Sequence, residues 1–276
     1  KDFLAFLSVD VNYDLHTSMK QVESVQYDAA LAVSGAWRGS SRTKLYNELG
    51  WEPLYLMREV RRLCLFREIL IDKNPPYLYE IVKPFEPRQN SRSADLKFPF
   101  SRTDYYKNTF IPASVIKWNL LGSHTKNLPH KLAFKASLIK QIRPKRCEMF
   151  LSHDNIGQSW ITQLRVGLSP LNLHKFLKEF QDTHDPMCVA GDGIEDTDHF
   201  LLLCRLYHPI RNDLFKNINL LLQTNINILP NNDIIKSLLF GDSKLNPKIN
   251  KKKINHMTVH FLKRSFLGFL FEKNGT

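Results

Sequence analysis

One stretch, Pro186 to Tyr207 (PMCVAGDGIEDTDHFLLLCRLY), restricts the folding of this chain more than any other. It holds two of the four cysteines, Cys188 and Cys204, with His199 between them and an acidic, glycine-bearing turn at Gly191-Asp192-Gly193. Thiolate and imidazole ligands at such short spacings are those of small structural zinc sites, and such a site needs four of them. Three are present. The residue that would complete a Cys-x-Cys…His-x4-Cys pattern is Ala190, so the fourth ligand falls to His184, Asp192, His208 or a water. Spacing adds a second restriction. In a regular helix positions i and i+5, such as His199 and Cys204, point roughly 140° apart. Both reach one ion only where the helix end unwinds. The opposing reading is a degenerate site in which the cysteines pack as small apolar residues and His199 caps or packs.

The rest of the chain reads as globular. With 276 residues, 43% hydrophobic and 24% charged, it is long enough for a real core and for two modules. We expect a mainly α fold: helical, bundle-like modules, a few short strands or extended segments, and the small Cys/His hairpin–helix element at 186–207. The modules are placed at 1–146 and 147–276, with the basic linker Arg143-Pro144-Lys145-Arg146 between them. Four unevenly spaced cysteines do not make a secreted disulfide framework, so a reducing, intracellular compartment is expected, nuclear or cytoplasmic. No apolar run approaches the ~18 residues that span a bilayer, and KDFLAFLSVD does not make a signal peptide.

Punctuation places the helices. Met19, Val22, Val25, Ala29 and Ala32 recur at threes and fours and predict an amphipathic helix from Leu15 to Ser34, closed by Gly35. Ser40 or Ser41 caps a short helix ending at Gly50. Pro53 opens a long one whose apolar side is Leu56, Val60, Leu63, Cys64, Leu70 and Ile71. Further helices are expected from Pro112 to Leu121, Pro129 to Ile142, Gln158 to Leu168, Leu171 to Phe180, Arg211 to Leu222, Asp233 to Phe240 and Ile254 to Phe271. Asp196 or Thr197 caps the helix that carries His199. Residues 96–110, which alternate apolar and polar around Pro99, predict extended segments.

A net charge of +12 fits phosphate neutralisation, anionic membrane binding or simple solubility. Arg58, Arg61 and Arg62 share one helical face, and Lys145, Arg146, Lys251, Lys252 and Lys253 form two further basic patches. Each is either a solvated face or a track for nucleic-acid phosphates. The aromatic and basic stretch SRTDYYKN either stacks bases or contributes to a core. Catalytic signatures are missing. No G-x-x-x-x-G-K-[ST] loop occurs, His153-Asp154 has no nucleophile with a signature beside it, and no Tyr/Phe-x-Asp-Asp block is present to hold two Mg²⁺ ions. Neither catalysis by the chain itself nor a small-molecule substrate is expected.

The segment PMCVAGDGIEDTDHFLLLCRLYHPIRNDLF resembles the C-terminal tail of non-LTR (LINE-type) retrotransposon reverse transcriptases, where a PLC-x-CG…ED-x-x-HFLL-x-CPLY…R block follows the polymerase. The resemblance continues upstream through VQYDAALAVSGAWRGSSRTKLYNELGWEPL, RRLCLFREI, PPYLYEIV, SRTDYYKNTFIPASVIKWNLL and SWITQLRVGLSPLNLHKF, in order, over most of residues 20–220. It departs from the family at Ala190, where the tails carry a cysteine. The resemblance implies a non-catalytic C-terminal region with a thumb-like first module and a zinc-knuckle-like second one. Its partners would be template RNA, target DNA and the upstream polymerase domain of the same polypeptide, which would carry the Mg²⁺ chemistry. The alternative is a decayed packing or protein-interaction module without nucleic-acid contacts of its own. A coherent basic face would favour the first reading and a large exposed apolar patch the second.

Overall fold

The computed structural model describes residues 16–87, 95–142, 155–241 and 251–273. The expectations for residues 1–14, for Lys145 and Arg146 in the linker, and for His153-Asp154 lie outside them. The chain is mainly helical, and the only β pairing among the described residues is an isolated bridge between Met187 and Ile194. It divides into two compact units, Lys1–Gln26 with Trp51–Pro144 and Tyr27–Gly50 with Lys145–Thr276. No helix among the described residues is long and apolar enough to cross a membrane.

In the first unit the organising element is α3 (Leu54–Ile71); α1 (His16–Ser34) begins in this unit, and from Tyr27 its residues belong to the second, as does α2 (Arg42–Leu49). Pro53 stands just before α3, where its fixed φ and missing N–H cost nothing. Leu56, Val60, Leu63, Cys64, Phe66 and Ile69 form its buried side, and α4 (Pro76–Val82), α6 (Phe110–Asn119) and α8 (Lys131–Ile142) pack around it. The rings of Phe66, Trp118 and Phe134 meet in sequence at 5.8 Å spacings. Two short helices, α5 (Asp104–Lys107) and α7 (Ser123–Lys126), complete this unit. Residues 95–103 are irregular and extended, not paired as strands. A physical reason is visible: Asn119 takes the place of a neighbouring strand, accepting from Leu96 N at 2.9 Å and donating to Leu96 O at 2.8 Å.

The second unit is built on a long C-terminal helix, α13 (Lys251–Lys273). Packed on it are α9 (Asn155–Val166), α11 (His208–Leu222) and α12 (Asn231–Phe240). The expected helix at 171–180 is only one short turn, α10 (Asn172–Phe176), and Pro209 lies in the first turn of α11 without interrupting it. Phe200 is at the centre of the core, stacked on Phe266 at 5.0 Å and tilted against Phe261 at 5.6 Å. Helices α9 and α13 approach closely at Gly157, where an added Cβ would lie 2.2 Å from Val259 Cγ1. Gly157→Ala is therefore expected to destabilise the chain by about 1–3 kcal/mol through overpacking, measured by urea unfolding.

One helix lies the other way up from its hydrophobic pattern. On α1 the stripe Val22, Val25, Ala29 and Ala32 is exposed (Val25 at 69%), whereas Tyr27, Ala30 and Ser34 are buried. Polar anchors override the apolar stripe. Gln26 donates to Glu52 O and accepts from Leu54 N, Glu23 pairs with Arg58, and the Tyr27 hydroxyl donates to Ser40 O while accepting from Gly39 N.

Candidate metal centre

The region around residues 186–204 is a tight hairpin followed by a distorted helical turn. The hairpin is closed by Cys188 N donating to Gly193 O at 2.8 Å and Glu195 N to Pro186 O at 2.9 Å. Gly191, at φ +67°, occupies the left-handed conformation that the turn requires. The buried Glu195 carboxylate accepts from Asn172 N at 2.9 Å, which ties the hairpin to α10. Asp196 rather than Thr197 caps the next segment, its Oδ1 accepting from His199 N at 2.7 Å.

Residues His199–Leu203 then form a π-helical turn, and Cys204 N donates back to His199 O at 2.7 Å. That i→i+5 bond removes the spacing problem. A regular α-helix would set these two side chains on well-separated faces, while a π turn spreads an extra residue over the loop and returns position 204 towards 199. Cys204 itself, at φ −51° and ψ 124°, has already left the helix. The neighbours between them hold the distortion: Phe200 and Leu201 are fully buried in the core.

As a result Cys188, Asp192, His199 and Cys204 offer one ligand atom each, all within 4.8 Å of one another, a set that could hold a metal ion. The two Sγ atoms are 3.4 Å apart, and His199 Nε2 lies 3.1 Å from Asp192 Oδ1. That distance suits a hydrogen bond, yet the directions do not, and the buried Nε2 has no hydrogen-bond partner. Buried ring nitrogens are nearly always satisfied, so an orphan one among two thiols and a carboxylate fits a site whose remaining partner is a cation. Burial pushes the Cys188 thiol up to about 12. The Asp192 carboxyl is held below its ordinary range, chiefly by the Arg205 N–H at 3.0 Å and secondarily by His199. A divalent ion would reverse the thiol shift, because binding expels the protons.

A second layer of contacts fixes the clustered residues. Ala190 N donates to Cys188 Sγ at 3.4 Å, and Arg205 Nη2 donates to Ala190 O at 2.6 Å. From α11 the buried Arg211 reaches back to Cys204 O at 2.8 Å. Among the sequence candidates for the fourth ligand, Asp192 joins the cluster, while His184 and His208 are exposed and outside it. Arg211 stands where the family-like block carries its closing arginine, but Arg205, in place of the proline of CPLY, carried no motif signal.

The basic residues are distributed differently. Arg58 pairs with Glu23 at 2.8 Å and Arg62 with Glu59 at 3.2 Å; Glu59 also receives Lys117 at 3.5 Å. Arg61 is exposed and makes no ion pair among the described residues. Lys252 and Lys253 are exposed at the start of α13, and of Lys251 the backbone alone is described. Comparison with protein-family models, with curated proteins and with solved structures returned no match for this chain.

Proposed function

We propose that this chain is the non-catalytic C-terminal region of a LINE-type retrotransposon reverse transcriptase, and that it binds the backbone of template RNA and target DNA. The observation that carries the reading is the meeting of Cys188, His199 and Cys204, the residues of the family-like block, at one buried point despite Ala190. The ion we assign there is zinc, with Asp192 as the fourth ligand. The fit is close. Two thiolates on a tetrahedral zinc, each about 2.3 Å from it, stand roughly 3.8 Å apart, and the sulfurs here are 3.4 Å apart. A bound zinc would supply folding energy rather than chemistry, tying the hairpin to the π turn. Cys188 and Cys204 would hold it as thiolates; Arg211 would keep the Cys204 carbonyl in place, and Arg205 the Ala190 carbonyl and the Asp192 carboxylate.

Nucleic-acid binding of this kind is dominated by phosphate contacts and weakly sequence-specific. Arg61 and Lys253 are the residues from the basic patches that carry no carboxylate partner among the described residues, and they contribute most. Arg58 and Arg62 must first give up Glu23 and Glu59. The test is binding of the full chain to single-stranded RNA across a salt series, with and without a zinc chelator. Binding on the order of micromolar is expected at low salt, with log K falling by about 0.7 per phosphate contact for each decade of salt. No binding at low salt would remove the nucleic-acid reading.

One observation favours the second reading, a packing module that docks on a polymerase core or another protein. It is the uncovered stripe Val22, Val25, Ala29 and Ala32 on α1. Loss of RNA binding together with salt-insensitive association of the chain with a polymerase domain would establish it.

A further inference from the structure

We infer that residues 97–107 form a stacking platform for single-stranded RNA. The inference rests on the nucleic-acid reading above and deepens it by naming where bases, rather than phosphates, are held. The segment is anchored, so its exposed rings are displayed rather than frayed. Leu96 is buried and clamped through both backbone groups by Asn119, Lys97 N donates to Phe85 O at 2.7 Å, and Pro99 is buried. The far end is fixed as a helix start, with Thr103 Oγ1 accepting from Tyr106 N at 3.3 Å. Between and beyond these anchors the rings face solvent: Phe100 is 87% and Tyr105 83% exposed, and Phe98 is half exposed.

Single exposed apolar side chains are ordinary on a protein surface. Three rings on one anchored segment, interleaved with Lys97, Arg102 and Lys107, are not. Those cations are exposed and make no ion pair among the described residues. A protein partner with an apolar surface would leave all three charges unmatched. A single-stranded polynucleotide answers both features, since each base has a face to stack on a ring and each linkage carries a phosphate for a cation. Asp104 favours RNA of the two polynucleotides: this exposed carboxylate can accept a hydrogen bond from a ribose 2′-hydroxyl, which a deoxyribose lacks, while it repels the phosphates of both equally.

The experiment measures affinity of the full chain for a short oligouridine, the same-length oligodeoxythymidine and an RNA duplex. Phe100→Leu and Tyr105→Leu keep an apolar side chain and lose the ring, and Phe100→Trp keeps a ring. Because these side chains are exposed, the thermal midpoint is expected to stay that of the parent chain. Each leucine variant is expected to weaken oligouridine binding about 5- to 150-fold, the range measured for loss of one stacked base, while Phe100→Trp binds as the parent does. Lys107→Gln is expected to lower the salt slope by about 0.7. Parent-like binding by the leucine variants would overturn the platform while leaving the nucleic-acid reading standing. Oligodeoxythymidine or duplex bound as tightly as oligouridine would overturn the assignment to single-stranded RNA. If the parent chain binds no RNA at all, both readings fall together.

Discussion

Zinc added to the reduced, metal-free chain is expected to raise its thermal midpoint, and Cys204→Ala is expected to abolish that rise. Cys204 supplies one of the two sulfurs, and its backbone ends the π turn, so its loss removes a ligand without disturbing the i→i+5 bond from residue 204 N to His199 O. A metal that binds only the folded state stabilises it by about 4 kcal/mol when its free concentration is roughly a thousand times Kd. Asp192→Ala isolates the carboxylate proposed to stand in for the missing cysteine. It is expected to weaken zinc binding at least as much as loss of an outer partner does, about 10- to 100-fold. Cobalt in place of zinc gives an independent reading, because thiolate-to-metal absorption reports sulfur ligation directly. The measurement needs a reductant: sulfurs 3.4 Å apart are well placed to oxidise to a disulfide that would compete with the ion. A parent chain whose unfolding ignores both zinc and chelator would return the cluster to a buried thiol pair with a packed histidine.

The second large effect is expected far from that cluster. Arg165 on α9 and Glu48 on α2 form an ion pair at 2.8 Å, both side chains nearly inaccessible. Arg165 Nε also donates to Leu239 O at 2.6 Å, its Nη2 donates to the same carbonyl, and the guanidinium lies over the Phe240 ring. One side chain thus joins α2, α9 and the end of α12. Glu48→Ala leaves a buried guanidinium without its counter-charge and is expected to cost about 3–5 kcal/mol, read from urea unfolding at neutral pH. Glu48→Leu with Arg165→Met removes both charges and is expected to recover much of that loss, since a packed apolar pair does not carry the desolvation cost. A loss below about 1 kcal/mol for Glu48→Ala would mean that solvent reaches the pair.

Much of the helical architecture was readable because local punctuation is local chemistry. Gly50 and Gly241 close their helices in the left-handed conformation, and Pro53 stands where a helix begins. The residues of the candidate cluster at 188, 199 and 204, with Asp192 as one candidate to complete it, were readable for the same reason. What the sequence could not determine is which side of an element faces inward and how a spacing is bent. Stripe arithmetic puts Val22 and Val25 inside, yet Glu23, Gln26 and Tyr27 find polar partners that lie far along the chain and turn α1 over. The rings at 98, 100 and 105 are equally good core or surface until Leu96 before them and Pro99 among them occupy the buried positions. The five-residue gap from His199 to Cys204 argues against a shared ion in any regular helix. Only the burial of Phe200 and Leu201, packed from several directions at once, forces the π turn that brings imidazole and thiol to the same point. Periodicity fixed the helices and residue type the candidate ligands; long-range packing decided faces and convergence, because those depend on partners that a local pattern does not contain.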